Sequence, residues 1–193
     1  MQILKDEVKQ NIISAAIQEF AEVGYQKASL RKIAGSANIT VGNIYAYFKN
    51  KENLLDSILH PVINELNELI ANLSKGQMIN SVSLESVANE ITDIFLRNKQ
   101  QFLILMVKPH GTKYENTKQQ IIELVSKRMN DEYLPCLPLS AQDDILAITL
   151  GSALIEGLLH IFVCAYQDES RVRKLVITFM YMLFSDIQTT PLN

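Results

Sequence analysis

Between Ser29 and Lys51 the chain gathers side chains suited to a polyanion and to reading hydrogen-bond patterns. Ser29, Arg31 and Lys51 can each donate to a phosphate, and Lys51 would be helped by the positive end of a helix beginning beside it. Thr40, Val41, Gly42 and Asn43 form a short run of small and polar residues that can face base edges or the adjacent sugar-phosphate. Gly42 would let the backbone come close, and the amide of Asn43 can both donate to and accept from a base. From Tyr25 to Lys51 there are five cations, Lys27, Arg31, Lys32, Lys49 and Lys51, and no acid. The chain has a net charge of −3, so this +5 window leaves −8 on the remainder. A basic patch confined to one end of an acidic protein is what phosphate binding there requires; an ordinary solvated face is the plainer account of the charges alone.

The elements that must position these groups are legible in the spacing. Ser29 is suited to cap a helix whose apolar face is Leu30, Ile33, Ala34 and Ala37. Asn38 tolerates the left-handed backbone of a sharp turn, Ile39 can plug that turn into a core, and Thr40 caps the next helix. There Val41, Ile44, Tyr45 and Phe48 recur at helical spacing, which also makes Tyr45 a candidate for partial burial. Asn50 then caps a longer helix opened by Lys51 and Glu52. Two helices of seven or eight residues about such a turn match a helix-turn-helix, whose second helix enters the major groove.

Residues 9 to 59 resemble the DNA-binding domain of the tetracycline-repressor (TetR) family of bacterial transcription regulators. The resemblance is borne by IISAAIQEFAEVGYQKASLRKIA and by the run Gly42-x-Ile44-Tyr45-x-Tyr47-Phe48-x-x-Lys51-Glu52-x-Leu54. Asn38 stands where that family usually has Gly, and Ala28 where it often has Thr, which removes a potential phosphate contact. The resemblance implies that Tyr45 and Tyr47 supply ring packing and phosphate hydrogen bonds. It covers about the first third of the chain; beyond it only length and helical character agree.

The 193 residues, 48% hydrophobic, allow one large domain or two small ones. We expect an all-α fold: an N-terminal three-helix helix-turn-helix domain over residues 1–50 and a larger helical ligand-binding and dimerisation domain over 51–193. Helix one is expected from Asp6 to Val23, with Gly24 as its stop, and the fourth from Lys51 to Leu73, bent at Pro61. Later helices are expected over 84–98, 100–108, 115–133, 141–166 and 169–187. Breaks are expected at 74–76, 109–111 and 135–138, and Ser140-x-x-Asp143 resembles a capping box.

Residues 145–166 are apolar and long enough for a membrane span. Glu156 and His160 inside the segment argue against one. A helix apolar on all sides is equally suited to burial between its own domain and a partner, and the final helix adds the stripe Val172, Leu175, Val176, Phe179, Met180 and Leu183. The TetR resemblance implies that the last two helices form a four-helix bundle with those of a second copy. Two recognition helices about 34–36 Å apart would then read a palindrome on double-stranded DNA.

The same resemblance implies a small, largely apolar effector bound in the helical domain, which shifts the DNA-binding heads. Phe95, Phe102, Met106, Tyr114, Met129 and Phe162 are candidate lining residues, each equally explicable as core. The effector contacts expected are Phe102, Met106, His110, Tyr114 and His160. His160 follows Glu156 by one turn, a spacing that suits a satisfied core pair.

No nucleophile motif or Gly-rich phosphate loop is present, and we expect neither catalysis nor a cofactor. Histidines 60, 110 and 160 have no evident metal-ligand companions, and Cys136 and Cys164 give no metal spacing or disulfide framework. A charged N-terminus and sparse cysteine suit a reduced cytoplasmic setting. Three functions fit these features: a ligand-released repressor, an activator or partner-controlled regulator of the same fold, and a helical binding protein that does not use DNA.

Overall fold

The computed structural model describes residues 2–73, 81–136 and 143–184. The fold is all-α, with no strand among the described residues. Its helices are α1 (Gln2–Lys27), α2 (Leu30–Ser36), α3 (Val41–Tyr47), α4 (Lys51–Leu73), α5 (Ser81–Arg97), α6 (Lys99–Val107), α7 (Thr117–Arg128), α8 (Asp144–Ala165) and α9 (Glu169–Phe184). They fall into two compact units. One comprises residues up to Leu66 together with Asn98–Glu115, and the other comprises Asn67–Arg97 and the residues from Asn116 on.

In the first unit α1 packs on α2 and α6, and α2 packs on α3. Its core is built from Ile12, Ala16 and Phe20 of α1, Ile33 and Ala34 of α2, and Ile44 of α3. Phe48, Leu54, Leu55, Ile58, Leu59 and Val62, with Ile104 and Leu105 of α6, complete it. Each large side chain withdrawn from water contributes about 1.5–3 kcal/mol, enough in sum to hold two seven-residue helices that would not persist alone. The first helix begins at Gln2, earlier than its apolar spacing suggests. It breaks at Gly24, the expected stop, whose φ 78° and ψ 162° are open essentially to glycine, and a short further turn beyond that kink reaches Lys27. α4 runs through Pro61 as one helix. The hydroxyl of Ser57, whose carbonyl loses its partner at Pro61, donates to the Leu54 carbonyl at 2.7 Å.

The second unit packs α7 on α8, α8 on α9 and α5 on α9. Phe95 and Phe162 stack with ring centroids 4.0 Å apart, so this pair is packed core. At the α7–α8 crossing, a side chain at Gly151 would run into the Ser126 hydroxyl and stand 3.0 Å from the Ser126 backbone nitrogen. The glycine is what allows the approach.

The largest departures from the expected boundaries fall at the end of α7 and the start of α8. α7 ends at Arg128 and continues as a wide π-type turn over Met129–Tyr133, then a single 3-10 turn over Leu134–Cys136. Met129 and Tyr133 both turn inward there, and Pro135 cannot extend an α-helix. α8 opens at Asp144 because Asp143 itself is the cap, its carboxylate accepting from the Ile145 nitrogen at 2.7 Å. Ser140 and the breaks at 74–76 and 137–138 lie outside the described residues, as do positions 185–187.

α8 is long and apolar enough to cross a membrane by length and composition, and 33% of its most apolar stretch is buried. Ala147, Gly151, Leu154, Leu158, Leu159, Phe162 and Ala165 face inward. Ile145 (73% exposed), Ile148 (57%) and Val163 (44%) do not.

Candidate nucleic-acid interface

Each helix of the turn begins on the expected side chain. The Ser29 hydroxyl accepts from the Arg31 nitrogen at 3.2 Å, while the Ser29 nitrogen donates to the Glu19 carboxylate at 3.1 Å. The turn between α2 and α3 places Asn38 at φ 55°, and the Ile39 nitrogen donates to the Ala34 carbonyl at 2.9 Å. The chain therefore reverses without leaving the end of α2 unsatisfied. Thr40 then caps α3. Its hydroxyl accepts from the Asn43 nitrogen at 3.3 Å and donates to the Asn43 side-chain carbonyl at 3.1 Å. Asn50 accepts from the Asn53 nitrogen at 2.7 Å, and Asn53 accepts in return from the Lys49 nitrogen at 3.3 Å.

α3 is held from one side only. Ile44 and Phe48 are buried, Val41 and Tyr47 are half-buried, and Thr40, Gly42 and Asn43 are exposed. Tyr45 is 55% exposed, so its ring is available to a ligand, although its spacing also suited partial burial. Arg31 and Lys32 are exposed on α2, and Lys49 precedes α4.

Lys51 is placed differently from its neighbours. Its ammonium donates to the carbonyls of Tyr25 (2.8 Å), Ala28 (3.1 Å) and Gln26 (3.4 Å), and it lies 4.4 Å from the centre of the Tyr25 ring. The expected phosphate donor is thus first a clasp between the start of α4 and the end of α1. Burial holds this ammonium below the ordinary lysine range and, with Glu52 and Asp56 nearby, holds the Tyr25 phenol above its own. Lys108, from the residue after α6, makes a second clasp, donating to the carbonyls of Ala21 and Glu22.

The expected effector contacts lie in varied surroundings. Phe102 and Met106 are buried on α6. His110 is exposed and pairs with Glu115 at 3.1 Å. Tyr114, half-buried, donates through its hydroxyl to Asp56 at 2.9 Å, and Lys113 pairs with the other oxygen of that carboxylate at 2.7 Å. His160 belongs to the other compact unit and is exposed. It forms no core pair with Glu156, which is also exposed and binds Lys118 at 2.7 Å. An open groove of about 520 Å³ lies along α9, lined by Glu169, Ser170, Arg173, Lys174, Ile177 and Thr178, none of them an expected contact.

One neighbour escaped the sequence reading. Cys164 lies one helical turn beyond His160, and the two side chains meet, with Sγ 3.7 Å from Nε2. The signal was their separation of four residues within a helix.

Residues 12–58 match the family model of bacterial regulatory proteins, tetR family. Over 47 residues the chain is 49% identical to the fatty acid metabolism regulator protein of Bacillus subtilis (strain 168), covering 24% of each chain. It is 30% identical over 95 residues to the transposon Tn10 TetC protein of Escherichia coli, covering 49% of this chain and 47% of that one. The chain therefore spans between about a quarter and a half of the length of these relatives. Among solved structures, a transcriptional regulator (TerR/AcrR family) from Aquifex aeolicus VF5 has the same fold. Its TM-score is 0.64 at 19% identity, covering 92% of this chain and 99% of that one.

Proposed function

The N-terminal domain of this chain belongs to the tetR family of bacterial regulatory proteins, and from that premise we propose that the protein is a homodimeric DNA-binding transcriptional regulator. In this reading it is a repressor, released from a palindromic operator by a small, largely apolar molecule, and it works in the cytoplasm. Residues 1–50 form the DNA-binding head and residues 51–193 the effector-binding and dimerisation part. The observation that supports it most is the presentation of α3. Ile44 and Phe48 anchor the helix, while Thr40, Gly42, Asn43 and Tyr45 are exposed.

The exposed apolar side chains of α8 and α9 favour a second copy as partner. Ile145, Ile148, Val163, Leu175 and Met182 are all exposed, a costly arrangement for a lone chain in water. A twofold axis would cover both sets at once and bring two recognition helices to one duplex. The effector is carried by the family resemblance of residues 12–58, with Phe102 and Met106, buried on α6, as its candidate apolar contacts. Such a molecule acts by binding more tightly to a head spacing that fits DNA poorly.

Selection of bound fragments from random duplexes tests the reading. The expected result is a palindrome with half-sites about one helical turn apart and an affinity that falls steeply with salt. Absence of any salt-dependent shift on DNA would remove the DNA-binding role, and a monomer by light scattering at micromolar concentration would remove the dimer.

A further inference from the structure

His160 and Cys164 bring an imidazole and a thiol together on the exposed arc of α8, among apolar side chains and beside the Glu156–Lys118 ion pair. Cys164 Sγ lies 3.7 Å from His160 Nε2 and 4.0 Å from Nδ1. Both side chains are exposed, on the arc of α8 that also presents Ile145, Ile148 and Val163. In a tetrahedral zinc site, with Zn–S about 2.3 Å and Zn–N about 2.0 Å, a sulfur and a nitrogen ligand stand about 3.5 Å apart. The observed separation is close to that edge, and Nε2 is the nearer nitrogen. Glu156, one turn earlier, is already engaged by Lys118 at 2.7 Å.

We propose that this pair is half of a Cys2His2 site for a zinc-class divalent cation, completed by the same two residues of a second copy. The inference rests on the self-association through α8 and α9 proposed above. Burying an imidazole and a thiol in an apolar interface is costly unless both are satisfied, and a shared ion satisfies all four groups. On binding, each thiol loses its proton to solvent and each neutral imidazole offers the Nε2 lone pair. Two thiolates then balance the dication, leaving a neutral centre suited to apolar surroundings. Two ligands alone make a weak site, so the ion is retained only in the dimer.

Cobalt(II), whose thiolate charge-transfer and tetrahedral d–d bands report its ligands, is titrated into the reduced full-length chain while light scattering gives the mass. The expected result is a dimer that takes up about one ion per two chains, shows both sets of bands and gives up cobalt to zinc. Cys164→Ser abolishes the thiolate band, His160→Ala weakens uptake at least about tenfold, and Cys136→Ser changes neither. All three variants are expected to keep the wild-type circular dichroism. A dimer with no thiolate band, a band that survives Cys164→Ser, or uptake of one ion per chain overturns the shared site and leaves self-association standing. A monomer overturns the self-association reading and the site with it.

Discussion

Asn43 shows how a single contact narrows a role. Its carbonyl accepts from the Thr40 hydroxyl, so the cap engages the acceptor end of the amide and not its NH2. A donor in the major groove favours an acceptor edge such as guanine N7 and O6. Asn43→Ala is therefore expected to relax preference at one base pair of the selected operator, costing about 1–3 kcal/mol there, as read by binding to single-base variants. Tyr47→Phe is expected instead to weaken all duplexes alike. An unchanged preference in Asn43→Ala would assign base reading elsewhere. For Lys51, the three carbonyls it holds make stability the primary readout. Lys51→Met is expected to lower unfolding stability by about 1–3 kcal/mol in denaturant titration, with DNA affinity falling alongside. Weakened DNA binding at full stability would restore a direct phosphate role.

At the scale of elements, short helices depend on their ends. α2 and α3 have seven residues each, so a lost cap is a large fraction of what orders them. Ser29→Ala is expected to cost about 1 kcal/mol, measured by thermal unfolding. The α7–α8 crossing depends on the reverse property, the absence of a side chain. Gly151→Ala is expected to destabilise by about 1–3 kcal/mol, because the new methyl meets the backbone of Ser126 as well as its flexible hydroxyl. Caps and turns were legible in the sequence because they rest on residues two to five positions apart. Gly24 likewise ends the regular part of α1 where the sequence places its stop. The wide turn at Met129–Tyr133 was not legible, since packing against other helices decides whether a helix continues or widens.

For the molecule as a whole, the proposed dimer would hold one duplex far more tightly than a single head. Ile148→Arg, on the exposed arc of α8, is expected to yield a monomer by light scattering. The same change should lower operator affinity about a hundredfold, through loss of the linked second contact. A dimer of unchanged mass would place the interface elsewhere. Phe95 and Phe162 show why an effector site is hard to read from sequence. Two aromatic residues suited to a cavity wall instead stack on each other, and only packing distinguishes the two uses.

The helix-turn-helix is written in local pattern: its caps at Ser29, Thr40 and Asn50, its left-handed Asn38 and its anchoring Ile44 and Phe48. All are local patterns whose physics acts within a few residues. That Lys51 clasps the end of α1 and that Glu156 turns to Lys118 came instead from packing. These outcomes were set by which helices lie side by side, because a charged group binds whichever partner the fold brings within about 3 Å.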